Sequence, residues 1–368
     1  MSSEAPAGRF AASAAAPTRN GTSASGIADP VSPGRGAAGR QAAAHSRAVL
    51  GTLVGGAAVV FVWFHRQDLA PMWGQLRTAS PVWLLVGVAF VGVWLVAWGL
   101  MHRAGQRAAG WTLGPWRAVR LAAAASFLNV VTKSAGVAGV APFFGEANRQ
   151  GRSRGPVLAG YASAVLGGET VFVGVLVVAV VMLVRDDRLP PAVVGGGIVF
   201  LGYLAARFAL VLAATRSRAA VHRMASLPRR AVARVRGRPA RVDGGPAADE
   251  LYDAVQLLRA HPWSALPVLG WAVGLEVAGI AVVVAATAAV GLPIDLGHAV
   301  VIYATAVLFG IVGFLPGGLG FVELTTVAVL VSYGIPAPRA AAAIVLYRGL
   351  ELWLPALAGG LAVARSPR

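Results

Sequence analysis

The sequence predicts an all-α, polytopic membrane helix bundle with two broken, re-entrant helical hairpins. Three observations predict it: an excess of apolar residues, their gathering into runs of bilayer length, and arginines concentrated in the connections. Of 368 residues, 57% are hydrophobic and 13% charged, against roughly 45 to 50% apolar in soluble domains. A formal charge of +17 would point a soluble chain toward nucleic acid. Here the arginines lie between and beyond apolar runs, the positive-inside pattern, and no basic stretch is interleaved with stacking aromatics. No nucleic-acid partner is expected. The absence of cysteine removes disulfides, thiolate nucleophiles and cysteine-ligated metals. The histidines at 45, 65, 102, 222, 261 and 298 show no metal-ligand spacing, so no metal or other cofactor is expected.

Residues 1–46 are rich in Ala, Gly, Ser and Pro and hold no apolar run, so they bury too little to fold and read as a disordered cytoplasmic tail. The first apolar run begins near Ala48, too far in for a cleaved signal. A bilayer core needs about 20 apolar residues per helix. Six segments meet this, at 48–64, 81–101, 160–184, 192–214, 264–290 and 338–363, within a membrane domain spanning 47–364. Gly51 with Gly55, and Gly270 with Gly274, have the small-xxx-small spacing of close helix contacts. Trp73, Trp83, Trp111, Trp116 and Trp263 fall near expected interfaces and read as anchors. Basic connections (the tail, 103–120, Arg149 to Arg154, and the loop after Ala214) place both termini in the cytoplasm of a bacterial-type inner membrane.

The loop at 215–261 carries nine arginines between Arg216 and Arg241. It then enters Asp249 to Arg259, where Leu251, Val255 and Leu258 share a helical face. This reads as an amphipathic surface helix beside a polybasic segment, suited to anionic headgroups, or as a topology signal alone. Gly151-Arg-Ser-Arg-Gly155 matches a hydrolase pattern but lacks the strand-turn-helix context. Asp186-Asp187 is a lone acidic pair in a short loop, and reads as a solvated turn.

Two further apolar stretches, 118–144 and 296–333, are interrupted by glycine-rich sequence. The first runs Asn129-Val-Val-Thr-Lys133-Ser-Ala-Gly136-Val-Ala-Gly139-Val-Ala-Pro-Phe-Phe-Gly-Glu146, and the second Gly313-Phe-Leu-Pro316-Gly317-Gly318-Leu-Gly320-Phe-Val-Glu323. Flanking charge makes each enter and leave on one face, from opposite sides of the bilayer. Irregular backbone at membrane depth survives only where protein buries it or a watery cavity borders it, so an internal cavity is expected. Each break is followed by a glutamate where a half-helix would begin, and then by a helix with another embedded acid, Glu169 or Glu351. That parallel fits an inverted repeat.

The run Phe314 to Glu323, with Ile335-Pro-Ala-Pro-Arg-Ala340 and Leu346-Tyr-Arg-Gly-Leu-Glu-Leu-Trp353, resembles the signature of the lysylphosphatidylglycerol synthase transmembrane-region family, also called the flippase-like family. The resemblance covers roughly 47–363. It implies a helical membrane domain with broken helices, associated in its best-known members with moving aminoacylated phosphatidylglycerol between leaflets. In those members a separate soluble domain performs aminoacyl transfer. This chain ends just past its last expected helix, so synthase activity is not expected. Where many members have Pro-x-Arg-x-Gly and then Glu-Arg, this chain has Lys133-Ser-Ala-Gly136 and Gly168-Glu169-Thr170.

An ionisable residue at the bilayer centre costs about 2.5 to 3.5 kcal/mol on insertion scales, so each needs a partner or a function. Glu169, Arg207, Glu276, Glu323, Arg348 and Glu351 qualify. Two readings stand side by side. In one, Arg348 binds a substrate phosphate, with Lys133, Glu146, Glu169, Glu323 and Glu351 lining the site and the half-helix termini attracting the anion. In the other, Arg348 pairs with Glu351 or Glu323, and Glu169 with Arg207, as structural locks. The functional expectation is a non-enzymatic translocator of an anionic phospholipid or polyprenyl-linked substrate. The alternative is a non-transporting scaffold for a glycosyltransferase or lipid-modifying enzyme.

Overall fold

The computed structural model describes residues 74, 76–132, 137–224, 226, 246–313 and 315–364. The expected tail at 1–46, the first expected span at 48–64, Trp73, Lys133, Gly136 and the stretch 227–245 lie outside them. Among the described residues every regular element is helical. In chain order they are α1 (Pro81–Ala108), α2 (Pro115–Thr132), α3 (Ala141–Arg149), α4 (Arg154–Arg185), α5 (Pro191–Arg216), α6 (Pro246–Ala260), α7 (Leu266–Ala289), α8 (Leu296–Val312), α9 (Phe321–Ser332), α10 (Ala337–Arg348) and α11 (Leu354–Ala364).

Five stretches are long and apolar enough to cross a membrane: α1, α4, α5, α7 with its leading 3₁₀ turn, and α10 running into α11. These are the expected spans after the first. Proline opens α1 and α5 at their first turn, where its missing N–H costs nothing. Asp295 caps α8, its Oδ1 accepting the His298 amide at 2.8 Å, and that bond holds its carboxyl below the usual carboxylate range. The span expected at 338–363 is not a uniform helix. Residues Gly349–Trp353 widen into a π-helical turn between α10 and α11, directly after Arg348, and such turns often mark functional positions.

α1 shares its most extensive contact with α7 and also touches α2 and α4. Its glycines set the spacing. A Cβ at Gly99 would lie 2.4 Å from the Val119 Cα of α2, and one at Gly105 would lie 2.4 Å from the Gly160 carbonyl of α4. Among the described residues nothing lies within 4 Å of a Cβ built at Gly270 or Gly274; the close approach on α7 is at Gly279, where the Tyr303 ring of α8 lies 2.3 Å from a built Cβ. Spacing reports which residues share a face, not whether a neighbour covers it.

The largest core cluster joins Phe172, Phe200, Val283, Ile302, Leu308, Leu330 and Ile344 from six helices. A second gathers Trp111, Leu121, Phe143, Val157 and Tyr161 around the first broken hairpin. Trp111 therefore departs from the anchor expected of it: it is 1% exposed and its Nε1 donates to Gln150 Oε1 at 3.1 Å. Trp116 and Trp263 stay exposed. The apolar face of α6 is also turned inward, with Leu251, Val255 and Leu258 packed on Ala109 and Ala159. Gly155 of α4 comes so close that a Cβ there would meet the Leu251 amide at 2.4 Å.

Adding a methyl at Gly99 forces backbone apart, and such overpacking costs about 1 to 3 kcal/mol. Gly99→Ala is expected to lower the unfolding temperature in detergent, followed by tryptophan fluorescence. Gly174→Ala, with nothing among the described residues within 4 Å of its built Cβ, is expected to leave it unchanged. Equal melting of the two variants would contradict the packing described.

Candidate functional site

Both glycine-rich segments are breaks between helices. α8 ends at Val312, the chain makes a 3₁₀ turn at Pro316–Gly318, and α9 starts at Phe321. Gly317, Gly318 and Gly320 have φ of +63°, +68° and +82°, a region that side chains with a Cβ resist. Gly318 is further fixed by space, since a Cβ would lie 2.8 Å from Val322 Cγ2 and 2.9 Å from Gly310 Cα.

Arg348, the last residue of α10, reaches into this break. Its Nε donates to Glu323 Oε1 at 2.8 Å, Nη1 to Glu351 Oε2 at 2.7 Å, and Nη2 to the Gly317 carbonyl at 2.5 Å. The guanidinium fork therefore spans three separate pieces of chain: the break, the first turn of α9 and the π-helical turn. The Arg348 side chain is 6% exposed, against 29% and 30% for Glu323 and Glu351. Glu323 closes the arrangement with its other oxygen, which accepts the Gly320 amide at 2.6 Å. It sits in the first turn of α9, as expected, and works there as a capping carboxylate.

The first break uses an amide instead. Asn129 Oδ1 accepts the Gly139 amide at 2.7 Å and its Nδ2 donates to Tyr161 Oη of α4 at 3.3 Å. Gly139 has no room for a side chain, because a Cβ would lie 2.2 Å from that hydroxyl. Tyr161, Phe143 and His102 form a ring cluster with centroids 5.1 to 5.5 Å apart. Glu146 does not begin a half-helix. It is the sixth residue of α3, buried, and held by Arg117 of α2 at 3.1 Å, Arg149 at 3.5 Å and Gln150 at 2.8 Å. A 3₁₀ turn at Ala138–Val140 and Pro142 already start α3, so the cap position falls before the glutamate.

Glu169 of α4 forms a third cluster with α5. Its Oε1 meets Arg207 Nη1 at 2.7 Å and the Tyr203 hydroxyl at 3.2 Å. Arg207 also bonds that hydroxyl and lies 5.3 Å from the Tyr203 ring centroid. The site residues thus divide. Arg348, Glu323, Glu351, Pro316, Gly317, Gly318 and Gly320 are together, whereas Glu146 and Glu169 each have an arginine of their own. Sequence reading passed over Asn129 and Tyr203. A polar residue just before a glycine break, and a tyrosine one turn before an embedded arginine, were the available signals. Glu276 of α7 is 5% exposed and shares a hydrogen bond with Tyr303; its Oε2 has no partner among the described residues. No group of three metal-ligating side chains occurs among the described residues.

Five bilayer-length apolar helices, two glycine-broken helices and charges paired inside the bundle define a multi-pass integral membrane protein. A family model described as the lysylphosphatidylglycerol synthase TM region matches residues 48–359. The chain belongs to that family. A search of curated proteins finds no similar sequence.

Truncating one member of a buried ion pair leaves its partner uncompensated and costs about 3 to 5 kcal/mol. Arg348→Ala is expected to lower unfolding free energy by that order. Arg348→Lys should recover only part of it, since one ammonium cannot present a fork to three acceptors. Melting of purified Arg348→Ala at the wild-type temperature would show that the cluster does not hold the break.

Proposed function

We propose that the chain translocates an anionic phospholipid or lipid-linked substrate across a bacterial-type cytoplasmic membrane, with both termini cytoplasmic, and that it performs no covalent chemistry. The observation carrying this reading is Arg348 held between two carboxylates at a glycine break. Removing a guanidinium and two carboxylates from water is costly, and apolar side chains of similar volume often stabilise a bundle better. A cation retained at membrane depth is by default a substrate or ion site. Guanidinium also matches phosphate in shape and charge.

A phosphate would act by replacing a carboxylate as the partner of Arg348. The contact to exchange is with Glu323, which comes from a separate helix, while Glu351 lies on the same continuous span. Release of Glu323 frees the Gly320 amide at the start of α9, where helix-end amides and dipole favour an anion. In the conformation described Arg348 is enclosed, its side chain only 6% exposed. The cycle therefore requires this contact to open, with one broken-helix unit rocking against the other.

Purified protein in liposomes is expected to accelerate the transbilayer movement of labelled phosphatidylglycerol or a labelled lipid-linked sugar. Arg348→Lys, if it still folds, should slow it about tenfold or more, the consequence of losing a charged hydrogen bond. No acceleration of any labelled anionic lipid or lipid-linked sugar by the wild-type protein would remove this proposal.

A further inference from the structure

Away from the buried clusters, an open groove of about 530 Å³ lies between the C-terminal ends of α1 and α6 and the start of α7. Its polar lining comes from Arg103, Arg107, His261 and Ser264, and its apolar lining includes Leu257 and Trp271. No carboxylate lines it.

The two arginines are four residues apart on α1 and so share a face. The Arg103 Nε is fixed on the Leu113 carbonyl at 2.8 Å, which leaves the outer nitrogens of its fork for another acceptor. Arg107 is exposed and forms no ion pair among the described residues. His261 Nδ1 lies 3.2 Å from the Leu257 carbonyl; a carbonyl can only accept, so Nδ1 donates and Nε2 of the neutral ring is left to accept from a headgroup hydroxyl.

The groove also has a definite depth. α1 has 28 residues, about 42 Å at 1.5 Å per residue, whereas the hydrocarbon core is about 30 Å thick. The last turns of α1, with Arg103 and Arg107, therefore reach the headgroup layer. Trp271, 41% exposed, lies on the span side, among residues suited to an acyl chain. A cationic rim above an apolar wall at this depth matches a lipid with a phosphate and no ammonium.

We propose that this groove binds the phosphodiester headgroup of an anionic membrane phospholipid, held by Arg103 and Arg107 with its chain along Trp271, as a resident lipid that joins α6 to the span α1. The site shares no residue with the Arg348 cluster, so it stands or falls independently of transport.

The test is native mass spectrometry of delipidated full-length protein in detergent, titrated with dioleoylphosphatidylglycerol, dioleoylphosphatidylcholine or inorganic phosphate. One phosphatidylglycerol should be retained above the statistical background. Retention should weaken about tenfold or more in Arg107→Gln and be largely kept in Arg107→Lys, with both variants melting as wild type. Unchanged retention in Arg107→Gln overturns the site. Equal retention of phosphatidylcholine overturns the headgroup assignment, and displacement by millimolar inorganic phosphate would mark a free-anion site instead of a lipid site.

Discussion

Backbone that leaves the helix inside a membrane has no water to turn to, so other parts of the protein must satisfy it. That constraint organises this chain. Where α8 stops, Arg348 supplies a donor to the Gly317 carbonyl and Glu323 supplies an acceptor to the Gly320 amide. Each of these side chains is charged, and neither would be tolerable alone. Their contact at 2.8 Å, with Glu351 on the far side of the guanidinium, gives each charge a partner of opposite sign. A neutral solution serves the first break, where the Asn129 side chain meets the Gly139 amide.

The same logic spaces the bundle. Arg348 with Glu323 joins α10 to α9, Arg207 with Glu169 joins α5 to α4, and Arg117 with Glu146 joins α2 to α3. Each tie fixes a pair of elements whose apolar surfaces alone would permit sliding, since lipid is as apolar as the helices. Glycine supplies the complementary device. Gly99, Gly105 and Gly155 let helices approach until backbone meets backbone or side chain, which increases dispersion contact where the hydrophobic effect gives no preference.

Much of this was legible in the residues. Runs of bilayer length located the described spans, and clustered Pro and Gly located the breaks, because both signals are local. The pairing of Arg348 with Glu351 or Glu323, of which the structure shows both, and of Glu169 with Arg207 was one of two readings, since a buried charge demands a partner whichever it is. What required coordinates was the choice of neighbour. Nothing local separates Trp111, buried against Gln150, from Trp116 at the surface, or Gly279 under a tyrosine ring from Gly270, with no described atom within 4 Å of its built Cβ. The amphipathic face of α6 was visible as a stripe, but whether headgroups or α4 cover it is a tertiary fact. Glu146 was misplaced because Pro142, not the glutamate, starts its helix.

The central claim is that Arg348 and Glu323 act as one unit holding the broken helix. A double-mutant cycle measures this directly, using unfolding free energies in detergent for wild type, Arg348→Ala, Glu323→Ala and the double variant. A coupled pair gives an interaction energy of about 1 to 3 kcal/mol, with the double variant less destabilised than the sum, because the Glu323 carboxylate is no longer left behind when its guanidinium is removed. Losses that add to within about 0.5 kcal/mol would contradict it.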